Sequence, residues 1–226
     1  MGVNVIDLHR MLGKAQETLK RLFTPPPVTL LPRYRAALED LTIEVWVSSR
    51  KLPLLLRGGA IIVPTAPDLK MVFGVAKMAR DMGADNIQRE ANAVAPLAPG
   101  DAFVGTGSRY RYKYTALAVI FDELKRTSPQ LITSSVGKAM RMLRDRGVNS
   151  VIIPDMTENL LTQPNWITAE QRRETAAITA RLMLAGILDA GSNIKSVRIW
   201  VWDKANADIF IDELKRFTQR ERTVAA

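Results

Sequence analysis

From Thr42 onward the chain alternates between two textures. Short apolar runs are followed by stretches in which apolar positions recur every three or four residues. The run TIEVWV (42–47) alternates in the manner of a half-buried strand, and AIIV (60–63) is a short strand apolar on both faces. Helical spacing follows over about 71–82 and again over 84–93. APGDAFVGTG (98–107) reads as a turn and a strand, and YTALAVIF (114–121) as the next strand. A helix is expected over 129–146, ending at DRG. After it come a strand at SVIIP (150–154), a long helix over 168–190, a strand at SVRIWVWD (196–203) and a closing helix from Ala205. Strands separated by helices of this length predict a layered α/β domain.

The first 39 residues differ. Val5, Leu8, Leu12, Ala15, Leu19 and Leu22 fall along one helical stripe, and the following TPPPV stops a helix because proline removes donors and forces extended backbone. The expected organisation is therefore an amphipathic helix with a Pro-rich linker over 1–39, and an α/β domain over 40–226. The stripe spans fewer than three heptads. It fits either a helix packed on its own domain or the seam of a homo-oligomer.

Composition narrows the function classes. The 226 residues are 47% hydrophobic and 24% charged, enough to bury a core. No apolar run approaches the roughly 20 residues of a membrane-spanning helix, and no secretory leader is visible. There is no cysteine, and the one histidine is His9. Disulfides, thiolate metal sites and Cys–His pairs are thereby excluded, and a zinc centre of the usual kind is not expected. No cofactor is implied, and the expected compartment is cytoplasmic. The formal charge of +9 suits polyanions and phosphorylated ligands as partners.

Ligands of open α/β sheets sit at the carboxyl ends of strands. After the strand at 60–63, the segment Thr65–Ala66 leads past Lys70 to Gly74, Val75 and Ala76 at a helix start. Glycine there lets backbone N–H groups approach an anion, with the helix field assisting. After Pro154, the loop Asp155, Met156, Thr157, Glu158 carries two carboxylates able to accept from a hydroxyl or a base, or simply to face solvent. It leads to a helix whose expected N-cap is Thr168. In the GTGSRYRYKY segment, an extended backbone puts Arg109, Arg111 and Lys113 on one face and Tyr110, Tyr112 and Tyr114 on the other. That pattern fits a single-stranded nucleic-acid surface or a charged edge ribbon. Trp200 and Trp202 share a face of the last strand. Trp202, at its end, is placed to lie against a ribose or base.

Taken together, Thr42 to Phe217 resembles a macro domain, the fold that binds ADP-ribose in many proteins. The most specific likeness is PLAPGDAFVGTGSRYRYKYTALAVIF, which is similar to the family's PLxxGDAxxTxGxxLxxKYxIHxV stretch. GGAIIVPTAP resembles the second strand, MVFGVAKMAR the Gly-Gly-Gly-Val-Ala helix start, VNSVIIPDM the strand before the second phosphate loop, and VRIWVWDKANADIFIDEL the final strand and helix. The resemblance implies a three-layer α/β/α domain with a mixed central sheet. Its departures fall on ligand positions. Ser49 stands where an Asp usually holds the adenine amino group. Pro64-Thr65-Ala66-Pro67 replaces Asn-Ala-Ala-Asn. Only Gly74 of the triple glycine remains, the second loop lacks glycine, and Leu117 replaces a histidine. The asparagine used by hydrolytic members is missing, so no catalytic residue is expected. The resulting expectation is a macro-like binding module for a nucleotide or other phosphorylated ligand rather than efficient ADP-ribose binding. The alternatives are an interaction or assembly protein with a vestigial pocket, and an RNA- or DNA-binding protein with a basic surface.

Overall fold

The structure, a computed structural model, describes residues 31–47, 58–81, 85–107, 112–157, 168–189 and 193–224. The chain divides into two compact units, Met1–Leu31 and Pro32–Ala226. The expected amphipathic helix at 5–22 lies outside the described residues. The sheet and its helices belong to the second unit.

Seven strands, β1 (Tyr34–Leu38), β2 (Leu41–Val47), β3 (Gly58–Thr65), β4 (Ala102–Thr106), β5 (Tyr112–Val119), β6 (Ser150–Pro154) and β7 (Ser196–Val201), form one sheet. Among the described residues five helices accompany them: α1 (Gly74–Asp81), α2 (Asp85–Asn92), α3 (Pro129–Asp145), α4 (Ala169–Leu188) and α5 (Lys204–Val224). The sheet order is β1-β2-β7-β6-β3-β5-β4. The five inner strands run parallel, and the two edge strands are antiparallel to their neighbours.

Burial on both faces explains the near-continuous apolar runs of the inner strands. Ala60 and Ile62 of β3, Ala116 and Ala118 of β5 and Val151 and Ile153 of β6 face the main core. Ile61 and Val63, Leu117 and Val119, and Ile152 alternate with them and are equally buried. α3 lies against β4 and β5, α5 against β1 and β2, and α4 bridges α3 and α5. α1 packs on β3, and α2 on β4. This is the expected α/β/α sandwich with a mixed sheet.

Local signals set the boundaries. Ser128 accepts from the Leu131 N–H to cap α3, and Pro129 opens that helix. Thr168 and Gln171 exchange bonds in a capping box at the start of α4, at the N-cap position the sequence indicates. Asp203 accepts from the Ala205 and Asn206 backbone N–H groups and caps α5. At the β4 edge, Glu90 of α2 accepts from the Thr106 backbone N–H at 2.8 Å and also from the Thr106 hydroxyl. The strand Tyr34–Leu38 falls in the segment assigned by sequence to the linker. In the structure it pairs along its whole length with β2.

Candidate functional site

Because β2, β7, β6, β3 and β5 are parallel, their carboxyl ends share one rim of the sheet, and β7, β6 and β3 are adjacent there. Three of the four sequence-indicated loci leave the sheet along this rim: Thr65–Ala66 from β3, Asp155–Thr157 from β6, and Trp202 from β7. Ser49 and Glu158 lie outside the described residues.

The β3 loop is tightly held. Leu69 N–H donates to the Ala66 carbonyl at 2.9 Å, and Leu97 N–H donates to the Pro67 carbonyl at 3.0 Å. Gln88 of α2 clamps the loop from the side. Its Oε1 accepts from Met71 N–H at 2.8 Å, and its amide nitrogen donates to the Leu69 carbonyl at 3.3 Å. Leu69 and Met71 are fully buried, which anchors the loop by its alternate side chains. Thr65 is buried and its hydroxyl donates to the Ala66 carbonyl. Lys70 points outward and pairs with Asp68 at 3.5 Å, so its charge is already partly matched.

The loop delivers the chain to α1. The Phe73 carbonyl accepts from Lys77 N–H at 3.0 Å, which makes Phe73 the cap residue. Phenylalanine has no side-chain acceptor to offer the first-turn amides. Gly74 takes a φ of +51°, the left-handed region that glycine enters at little cost. A Cβ added to Gly74 would meet no heavy atom within 4 Å beyond its chain neighbours, so nothing else packs against that position. Val75 and Ala76 are both buried. Val72 and Phe73, which stand in the first two positions of the triple glycine, are exposed, Phe73 at 78%. Both cations of α1, Lys77 and Arg80, bond Asp81, and the Lys77 bond is the main cause holding the Asp81 carboxyl below its ordinary range.

The β6 loop has a different character from the one its sequence offers. Asp155 is buried, and its Oδ1 accepts from the Thr157 backbone N–H at 2.8 Å and from the Thr157 hydroxyl at 2.5 Å. Its Oδ2 accepts from Asn206 Nδ2 at 3.1 Å. The carboxylate therefore ties the end of β6 to the first turn of α5. Met156 is part of the main core and Thr157 is buried. Asn206 is a positioning residue that sequence reading missed. Its partner lies 51 positions away, and no local motif marks the pair.

At the end of β7, Trp200 and Trp202 do share a side. Their ring centroids are 4.4 Å apart at an interplanar angle of 34°. Trp200 is fully buried, and its indole N–H finds no acceptor among the described residues. Trp202 is half-buried and forms the outer ring of the pair. The loop after β5 is shaped by Asp122, which accepts from the backbone N–H groups of Leu124 and Arg126 and from the Arg126 side chain. The Arg126 backbone bond is the leading cause of its lowered pKa.

The basic ribbon is only partly described: Arg109 and Arg111 fall outside. Lys113 is exposed, with its ammonium 5.3 Å from the Tyr114 ring centroid. Tyr112 is buried and Tyr114 packs against the core, so these rings are committed to the fold. Among the described residues of this segment, Tyr112–Tyr114 belong to β5, which lies between β3 and β4, while Gly105 and Thr106 belong to the edge strand β4. The two strands close tightly at Gly107, where a Cβ would stand 2.1 Å from the Tyr112 carbonyl oxygen. Among the described residues no group of three His, Cys, Asp or Glu side chains forms a metal site, and no helix is long and apolar enough to cross a membrane.

A mixed seven-stranded sheet between helical layers, with a glycine-opened helix behind one strand of its rim, defines an α/β/α protein. The Macro domain family model matches residues 64–171, which include both loops just described. Over this stretch, just under half of the chain, the sequence is similar to a macro domain. Solved macrodomains share its fold. An Oceanobacillus iheyensis macrodomain with MES bound superposes with a TM-score of 0.64 at 13% identity, covering 83% of this chain and 97% of that one. A structure of that macrodomain with ADP gives 0.64 at 14%, with the same coverage. A Trypanosoma brucei macrodomain in complex with ADP-ribose gives 0.60 at 10%, covering 75% of this chain and 68% of that one. No curated protein matches in sequence.

Proposed function

We propose that this domain is a binding module for a nucleotide or other phosphorylated small molecule, held at the rim between the β3, β6 and β7 loops, and that it has moved away from efficient ADP-ribose binding. The observation that carries this reading is the first turn of α1. An uncapped helix start at a left-handed Gly74, with no other part of the chain packed against that glycine, offers backbone N–H groups to an anion. Two macrodomains of the same fold were solved with ADP and with ADP-ribose.

The departure from ADP-ribose rests on side chains that occupy or withdraw its usual contacts. Val72 and Phe73 stand where a family member has glycine, and each adds bulk in front of the diphosphate cradle. Pro64 and Pro67 carry no backbone donor. Asp155 spends its carboxylate on Thr157 and Asn206 instead of a ligand. Titration calorimetry with ADP and ADP-ribose tests the reading. The expected result is measurable ADP binding, with ADP-ribose weaker than the low-micromolar range. Tight ADP-ribose binding overturns the divergence, and absence of binding by both overturns the site.

A further inference from the structure

We infer that β1 is a self-pairing edge, through which two copies of this chain join antiparallel and their sheets continue into one another. The inference is independent of the proposed ligand site. β1 ends the sheet, with β2 on its inner side. The direction of its remaining backbone groups follows from its neighbours. Thr42 N–H donates to the Lys195 carbonyl on the β7 side at 2.9 Å, and the Val45 carbonyl accepts from Arg33 N–H on the β1 side at 2.8 Å. Thr42, Glu44 and Trp46 therefore address β7, while Leu41, Ile43 and Val45 address β1. The register partners of those last three, Leu38, Ala36 and Tyr34, turn toward β2. Arg35 and Ala37 alternate with them and direct their N–H and C=O groups out of the sheet.

Strands in this position are usually guarded by a charged side chain or a proline. The charged side chain here is Arg35, and it is drawn back over β2. Its Nε donates to Oε1 of the buried Glu44 at 2.7 Å. The other outward-directed residue, Ala37, is exposed and too small to obstruct an arriving strand. Charge selects the occupant. Arg33 and Arg35 stand at the start of the strand, Glu39 and Asp40 follow its end, and all four are exposed. A second copy laid antiparallel brings the basic end of each strand to the acidic end of the other, whereas a parallel copy sets like against like. With Ala36 on the two-fold axis, Arg35 of each copy exchanges backbone bonds with Ala37 of the other, and half-buried Tyr34 lies beside half-buried Leu38 of the second copy.

A strand of five residues buries little surface, so the dimer is concentration-dependent. Sedimentation equilibrium of the full chain should show a mass rising from 25.1 kDa toward twice that value as concentration increases. Ala37→Pro removes an outward donor and no bond to β2, so it should hold the monomer mass and unfold near the midpoint of the dilute native protein. Ala36→Cys reads the register. The chain has no other cysteine, and residues opposed in a non-hydrogen-bonded pair stand about 4.5 Å apart at Cα, within disulfide range. Oxidation of this variant should give a covalent dimer on a non-reducing gel. A native protein that stays monomeric at the highest attainable concentration overturns the proposal, and so does a folded Ala37→Pro that dimerises as the native protein does. Failure of the Ala36→Cys cross-link overturns it too, whether or not Ala37→Pro folds.

Discussion

Gly74 concentrates the local requirements of the rim in one residue. Its φ of +51° is a backbone demand, since the space around a Cβ there is empty. Substitution effects should therefore follow backbone preference and not side-chain size. Gly74→Ala is expected to lower unfolding free energy by about 1–2 kcal/mol, the usual cost of placing an L-residue in the left-handed region. Gly74→Asn should cost less, because asparagine tolerates that region. Urea denaturation of the two variants checks the order, and equal losses would point to a contact that the backbone argument does not contain. The same residue was legible in the sequence as a helix-opening glycine. The exposure of Phe73 was not. Periodicity marks which residues belong to a helix face and says nothing of the residue just before it, which the structure leaves exposed.

At the scale of elements, β6 and α5 are joined through one buried carboxylate. Asn206→Ala removes a donor from Asp155 Oδ2 and is expected to destabilise by about 1–3 kcal/mol, the cost of leaving a buried polar group short of a partner. Asp155→Asn should also destabilise, and the double variant should lose less than the sum of the two, since both act on one bond. Chemical denaturation of the four proteins measures that coupling; strict additivity would mean the bond contributes nothing. Strands and helices with strong periodicity were readable: β6 at 150–154 and the capped start of α4 fall where the pattern puts them. β1 was not. Tyr34, Ala36 and Leu38 do alternate, but five residues with two alanines beside a proline-rich stretch carry too little apolar signal. Pairing with β2 makes the strand. The role of Asp155 was hidden for a related reason. An acidic loop residue next to a strand end looks ligand-facing until the distant Asn206 is brought against it.

For the whole molecule, the compact α/β unit begins at Pro32, upstream of the boundary at residue 40 that composition indicates. We propose that β1 belongs to the folding unit. A chain lacking residues 1–31 should then unfold in a single cooperative transition. A chain lacking residues 1–39 loses β1 and opens the edge of β2, where Ile43 and Val45 are fully buried. Its midpoint should fall by at least about 4 °C relative to the first truncation, the shift that roughly 2 kcal/mol produces in a domain of this size. Calorimetric scans of the two truncations decide the matter, and coincident midpoints would return β1 to the linker. The architecture itself was legible from the alternation of apolar runs and helical spacing. The sheet order was not, because the order in which parallel strands insert is set by contacts between residues far apart in the chain.

The opposite border of the sheet is stoppered. A border strand with free N–H groups invites a strand from another molecule to extend the sheet. Here the last outward donor of β4, on Thr106, is already occupied by the Glu90 carboxylate. A foreign backbone arriving at that corner would have to displace a charged acceptor before gaining a single bond. The helix that clamps the ligand loop through Gln88 thus also discourages self-association, with two side chains placed two residues apart.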